Sequence, residues 1–240
     1  MGCLGHNSVQ TDEKKKKDEK EEKEEKEKKE LKKEEDVSHL EAPEFEGITR
    51  FCTELLYEIN KVRKEPSSYS EIISKNKSNF NGLIFKTPNS KYNVNTKEGV
   101  AAYEEAEQFL KDCPGNENEL VGSVGLCRIA QDFLKAFNDN EIKIDKVDNI
   151  NIKKITEKYG KCSGNLCKLI ATGGDELESV IINLIVCDGD TNRSQRNKLF
   201  DKSFKKIGVA HEKHPIYRYV TIFIVSTDFD NMVDRDDELD

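Results

Sequence analysis

Apolar positions begin to recur at helical spacing at Ile48. Ile48, Phe51, Cys52, Leu55, Ile59 and Val62 lie three or four residues apart, which predicts a helix ended by Lys64-Glu65-Pro66. Ser67 is of a type that caps helices and predicts a second one running to about Lys75. The polar stretch 76–97 predicts a loop. Two amphipathic helices follow, over 98–112 (Val100, Tyr103, Ala106, Phe109, Leu110) and 122–137 (Val124, Cys127, Ala130, Leu134, Phe137). Asn138–Asn151 is polar and predicts a loop, leading to a short helix over 152–159 that Gly160 stops. Leu166–Thr172 reads as a strand, and Asp175 caps a helix through Cys187. Phe204–Glu212 and Val220–Phe229 are β-rich runs either side of His214-Pro215, the pattern of a hairpin. Helices flanking a small antiparallel sheet predict an α+β fold, layered α–β–α.

Upstream of this pattern the chain is a different polymer. Residues 12–36 are all charged except Leu31, so they have nothing to bury and cannot form a core. Glu precedes Lys at helical spacing repeatedly (Glu19/Lys23, Glu22/Lys26, Glu24/Lys28, Glu25/Lys29), which favours an isolated, solvated helix. One apolar residue gives no heptad seam for a coiled coil, so the arm reads as a spacer. The expected organisation is a terminus over 1–11, a Lys/Glu-rich arm over 12–44, a folded domain over 45–230 and an acidic tail over 231–240.

Charge and hydropathy then narrow the function. The formal net charge is −8 with no large basic face, which argues against nucleic acid as a partner. No apolar run approaches the 18 or so residues of a membrane span, and the first 40 residues lack the apolar core of a secretory signal. Met1-Gly2-Cys3 instead offers Gly2 for myristoylation and Cys3 for a palmitoyl chain; two chains hold a protein at a membrane where one holds it marginally. His6 stands where Ser or Thr is preferred, and an unmodified terminus is the alternative. The Lys14–Lys17 cluster could attract anionic lipid, largely offset by Asp12, Glu13, Asp18 and Glu19.

Seven cysteines, an odd number, with Cys52, Cys127 and Cys187 inside apolar helical patterns, predict buried free thiols in a reducing compartment. Cys162-x4-Cys167 could be a redox pair or half a metal site, but its spacing is wide of a zinc knuckle and no second Cys/His pair follows. Ser194 with a distant His, or Cys167 with His211, can be drawn as nucleophile and base, yet neither sits in a nucleophile elbow. Gly173-Gly174 ends a strand and precedes an Asp that would repel an anion, so it does not read as a phosphate loop. His211 and His214 fall on the hairpin, where a solvent-facing or turn role is expected.

One block carries a resemblance. Val180–Asp190, Arg193–Arg196 and Ile207-Gly208-Val209-Ala210 are similar, in order and spacing, to the "vDDG…RGHR…iGva" run of the CAP superfamily, which includes cysteine-rich secretory proteins, insect antigen 5 and plant pathogenesis-related proteins. Leu56–Ser70 resembles that family's opening helix, Glu98–Leu110 a feature of its microbial and protist branch, and Leu126–Phe133 another of its helices. Tyr159-Gly160 and Ile170-Ala171-Thr172-Gly173 occupy the place of its "ENI..G" strand. The similarity covers about 50–229 and implies an α–β–α sandwich with a shallow cleft where two His and two Glu can gather round a divalent cation.

Here the resemblance implies a dismantled cleft. Gln195 stands in place of the "GHR" His, Ser194 in place of its Gly, Lys168 near the "EN" Glu and Leu169 in place of its Asn. The second His would fall near 140–144, and no His lies between His39 and His211. A protonated Lys cannot ligate a metal. Arg193 and Arg196 are expected to brace the loop through carboxylates such as Asp188 and Asp190, or to contact an acidic headgroup. The reading is therefore no metal, no cofactor and no catalysis, with lipid or intracellular protein partners. The layout is similar to that of a Golgi-associated, myristoylated member of the superfamily, which places the chain at the cytoplasmic face of a membrane. A structural module of a cytoskeletal or ciliary assembly is the alternative, and a residual hydrolase a weaker one.

Overall fold

The computed structural model describes residues 48–88, 91–139 and 152–232. The chain divides into two units, 1–44 and 45–240, and every described residue belongs to the second. The expected acylated terminus, the arm, the acidic tail and most of the 138–151 loop lie outside the described residues.

Helix α1 (Arg50–Lys64) starts where Thr49 accepts from the Cys52 amide. It stops before Pro66, because the residue preceding a proline avoids the helical region. Pro66 then opens α2 (Pro66–Asn76) at its first position, where the missing N–H costs nothing. Ser67 is thus inside the helix and is not its cap; Glu65 holds that position without a side-chain bond. A 3-10 turn (Lys77–Asn79) leads into three short antiparallel strands, β1 (Phe80–Asn81), β2 (Ile84–Lys86) and β3 (Asn93–Asn95). The expected loop over 76–97 is therefore a β-ribbon. Next come α3 (Val100–Asp112), β4 (Val121–Gly122), α4 (Val124–Asp139) and α5 (Ile152–Thr156).

Gly160 does not end a helix; it begins strand β5 (Gly160–Cys162), which pairs with β9 (Phe229–Asn231). A Cβ at 160 would collide with the Asp230 carbonyl and the Phe229 ring, so this pairing demands glycine. Strand β6 (Leu166–Thr172) matches its sequence expectation. Helix α6 (Leu177–Val186) is shorter than expected at both ends, and Asp175 lies outside it, 3.6 Å from Arg218 as an ion pair. After α7 (Ser194–Phe200), strands β7 (Lys206–His214) and β8 (Arg218–Ser226) form the hairpin, turning at 215–217.

The main sheet has the order β4-β7-β8-β6, antiparallel except for the two-residue β4–β7 pairing. Its strands alternate with period two. Leu169, Ala171, Ile207, Val209, Phe223 and Val225 face one core, shared with α1, α2, α3, α6 and α7. Ile170, Ala210, Val220, Ile222 and Ile224 face a second core, filled by Leu126, Ile129, Ala130, Phe133, Leu134 and Phe137 of α4. Helices thus cover both faces of the sheet, and the fold is α+β. No helix among the described residues is long and apolar enough to cross a membrane.

Candidate functional site

The α6–α7 connection and the first turn of α7 hold most of the polar residues that the sequence singles out. Cys187 and Arg193 adopt left-handed backbone (φ 49 and 50), and Gly189 has φ 79, so the chain reverses twice within seven residues. Asp190 caps the start of α7: its carboxylate accepts from the amides of Asn192 (3.0 Å) and Ser194 (2.8 Å) and from the Ser194 hydroxyl. Asp188 reaches outward and accepts from the amides of Lys97 (2.7 Å) and Glu98 (2.9 Å). Glu98 returns the contact by accepting from the Gly189 amide at 2.7 Å.

Two arginines complete the clasp. Arg193 binds Glu98 with both terminal nitrogens (2.6 and 2.7 Å), Glu105 through Nε (3.1 Å) and the Cys187 carbonyl (3.0 Å). Arg196, only 3% exposed, forks onto Glu105, donates to the Ile185 carbonyl and lies 4.3 Å over the Phe109 ring. The Arg193 guanidinium and the Gly189 amide hold the Glu98 carboxyl down at about 2, and Arg193 is raised in turn. The arginines do brace the loop, but against Glu98 and Glu105 of the α3 segment. Asp188 and Asp190 are short side chains claimed by nearby backbone amides.

Two of the positions that the resemblance marks as a cleft, Gln195 and Lys168, lie at the free edge of β6, whereas Leu169 of β6 faces the core instead. Gln195 Oε1 accepts from the Ile170 amide at 3.1 Å, and Lys198 donates to the Lys168 carbonyl at 3.5 Å. Side chains of α7 therefore satisfy backbone groups that an edge strand would leave open. The Lys168 ammonium lies over the Phe133 ring, 5.2 Å from its centroid. Ser194 donates its hydroxyl to the Asp190 carboxylate. Gly208 sits where β7 meets the α4 backbone at Leu126 and Cys127.

No family model and no curated protein matches the chain. Among solved structures, an outer surface protein from Borrelia burgdorferi is similar, with 16% identity and a TM-score of 0.38 over 53% of this chain and 89% of that one. A likeness of that size carries no argument about fold or function.

Thiols line the opposite edge of the sheet. Beyond its short pairing with β4, strand β7 presents the Val209 amide to Cys127 Sγ (3.4 Å) and the His211 amide to Cys52. Burial pushes the Cys127 thiol up to about 11 and also raises Cys52 and Cys187, so these groups are poor nucleophiles. All six described cysteines are free. Cys162 contacts Ser226 and the Gly164 carbonyl, whereas Cys167 packs against the core shared with α1. Among the described residues no group of three or more His, Cys, Asp or Glu could hold a metal ion.

The two described histidines are structural in different ways. His214, 3% exposed, takes the turn role: its Nδ1 accepts from the amides of Ile216 (3.0 Å) and Tyr217 (3.2 Å). His211 is not solvent-facing; it packs between Phe51 and Tyr219 and pairs through Nδ1 with the Thr221 hydroxyl at 2.8 Å. Burial lowers both pKa values below 6.5. Above about pH 6.5 both rings are neutral in folded and unfolded chains, and the hairpin is fully supported. As pH falls below that, the unfolded chain takes protons first, so stability drops by up to about 1.4 kcal/mol per pH unit for each ring. The loss levels off below the folded pKa values. Thermal denaturation across pH 5–7 should show this decline, and His214→Asn should flatten part of it.

Sequence reasoning missed Glu98 and Glu105 as the clasp's carboxylates, and Cys52 and Cys127 as edge acceptors. It also missed Arg63, 1% exposed, which donates to the Leu199 and Asp201 carbonyls at the end of α7. A basic residue inside the apolar helical pattern of α1 was the available signal.

Proposed function

We propose that this is a CAP-type domain whose cleft positions serve architecture and that it acts by binding lipid or protein. In this reading it is tethered at the cytoplasmic face of a membrane through acylated Gly2, with Cys3 as a second attachment point. One observation carries the non-catalytic part. Gln195, which stands where the resemblance expects the metal-binding His, spends its acceptor oxygen on the Ile170 amide of the sheet edge. Lys168 supports the same reading, because it brings a cation to the position of the expected Glu. Helices on both faces of a mainly antiparallel sheet suit the CAP type. The Met1-Gly2-Cys3 start supports the tether.

Calorimetric zinc titration of the full chain at neutral pH tests the cleft. Structural zinc sites gain about 10–16 kcal/mol because three or four ligands close on the ion together, and that cooperation is lost when ligands are replaced. The expected result is weak binding of the kind any acidic surface gives. A stoichiometric, submicromolar site abolished by Lys168→Ala or Gln195→Ala would contradict the proposal and reopen a hydrolase reading.

A further inference from the structure

The β1–β3 ribbon combines two features. Four large apolar side chains there are well exposed: Leu83 (54%), Ile84 (40%), Tyr92 (61%) and Val94 (51%), out of eight such side chains among the described residues. Register places Leu83 and Ile84 at the β1–β2 turn end and Val94 one step in, opposite Phe85. Ile84 pairs with Asn95, Phe85 with Val94, and the Leu83 carbonyl accepts from the Thr96 amide at 2.8 Å. The domain covers the inner part of the ribbon, where Tyr103 meets Phe80 and Phe85 with ring centroids 4.9 and 5.6 Å apart. The β1–β2 turn rests on the start of α3, where a Cβ on Gly99 would meet the Gly82 carbonyl at 3.0 Å and Leu83 Cδ2 at 3.3 Å, and is open on its other side, where a Cβ built on Gly82 (φ +61) would meet nothing within 4 Å. The apolar end is thus open to solvent on its outer side.

The second feature is charge. In a chain of net charge −8, residues 72–97 contain Lys75, Lys77, Lys86, Lys91 and Lys97 and no Asp or Glu. Lys77 is paired with Glu107 at 2.5 Å, while Lys75, Lys86, Lys91 and Lys97 are exposed. The carboxylates that follow are already engaged, Glu98 by Arg193 and the Gly189 amide, Asp188 by the amides of 97 and 98. At the end of the ribbon away from the turn, Tyr92 lies under the Arg218 guanidinium, 4.7 Å from its ring centroid.

We infer that this ribbon docks on an anionic lipid bilayer. The aliphatic end enters the boundary between headgroups and acyl chains, the lysines meet phosphate and carboxylate headgroups, and no free carboxylate of the segment repels them. Exposed aliphatic side chains flanked by lysines suit a fluid array of anionic headgroups, which rearranges around them, better than a folded partner, which would need both a pocket and matched carboxylates. The inference goes beyond the acyl tether and does not depend on it, since an unacylated chain still carries the ribbon.

The test uses the full chain made without acylation, its mass verified, in flotation with vesicles of phosphatidylcholine alone or mixed with phosphatidylserine. Binding should be about tenfold or more stronger with the anionic lipid and should fall as salt rises. Both Leu83→Ser/Ile84→Ser and Lys86→Glu/Lys91→Glu should cut it about tenfold while leaving the thermal melt unchanged, because all four side chains are exposed. Equal binding to neutral vesicles would overturn the inference. So would ribbon variants that bind like the parent, which would move the contact elsewhere, for example to Lys14–Lys17. Loss with the lysine variant alone would also overturn it, by removing the inserted end. Retention on an acidic peptide without vesicle binding would assign the face to a protein.

Discussion

Gly208→Ala is expected to destabilise the domain more than any other single methyl addition outside β5. The new Cβ would overlap the Leu126 carbonyl carbon and the Cys127 amide nitrogen of α4. Overpacking usually costs about 1–3 kcal/mol because side chains can move aside. Here the obstacle is helix backbone, and α4 is fixed by Leu126, Ile129, Ala130 and Phe133 in its core. The cost should therefore reach or exceed the top of that range, read as a fall in the denaturant midpoint. A near-neutral Gly208→Ala would show that α4 does not press on β7 as described.

The clasp yields a less intuitive result. Glu105 is about half exposed and Arg196 almost wholly buried, yet replacing the glutamate should do more harm. Glu105→Ala leaves the Arg196 guanidinium buried with the Ile185 carbonyl as its remaining acceptor and removes a partner of Arg193. Stranding a buried charge costs about 3–5 kcal/mol, and some residual solvation near an exposed partner should bring this to about 2–3. Arg196→Met keeps an unbranched side chain against Phe109 and leaves the half-exposed Glu105 to Arg193 and water, so it should cost about 1 kcal/mol or less. Equilibrium unfolding of both variants decides the order. Arg196→Met as the worse of the two would mean that the guanidinium's hydrogen bonds outweigh its desolvation.

The same distinction between local and distant partners explains how much the sequence discloses. Helices α1, α3 and α4 and strands β6, β7 and β8 bury one or both faces, so their apolar residues keep a period that can be read directly. Strands of two or three residues, such as β1, β2 and β3, are too short to show alternation; they persist because Phe80 and Phe85 pack on Tyr103. The role of Gly160 is set by β9, about seventy residues further on, and nothing local announces it. At the candidate site, Arg193 and Arg196 stand out as cations flanking a turn, but Glu98 and Glu105 lie 88 to 95 positions away. Asp188 and Asp190, the nearer carboxylates, lose the competition because backbone amides are closer still. Gln195 is legible as a departure from a family pattern, whereas its bond to Ile170 follows from the sheet order, which the sequence does not state.

Intact-mass measurement of the native protein recovered from the membrane fraction tests the central claim most directly, that a binding domain is held at a membrane by its amino terminus. The expected result is a chain lacking Met1 and carrying a myristoyl group on Gly2, with a palmitoyl group on Cys3 in part of the population. A native protein found in the soluble fraction with an unmodified terminus would contradict the account.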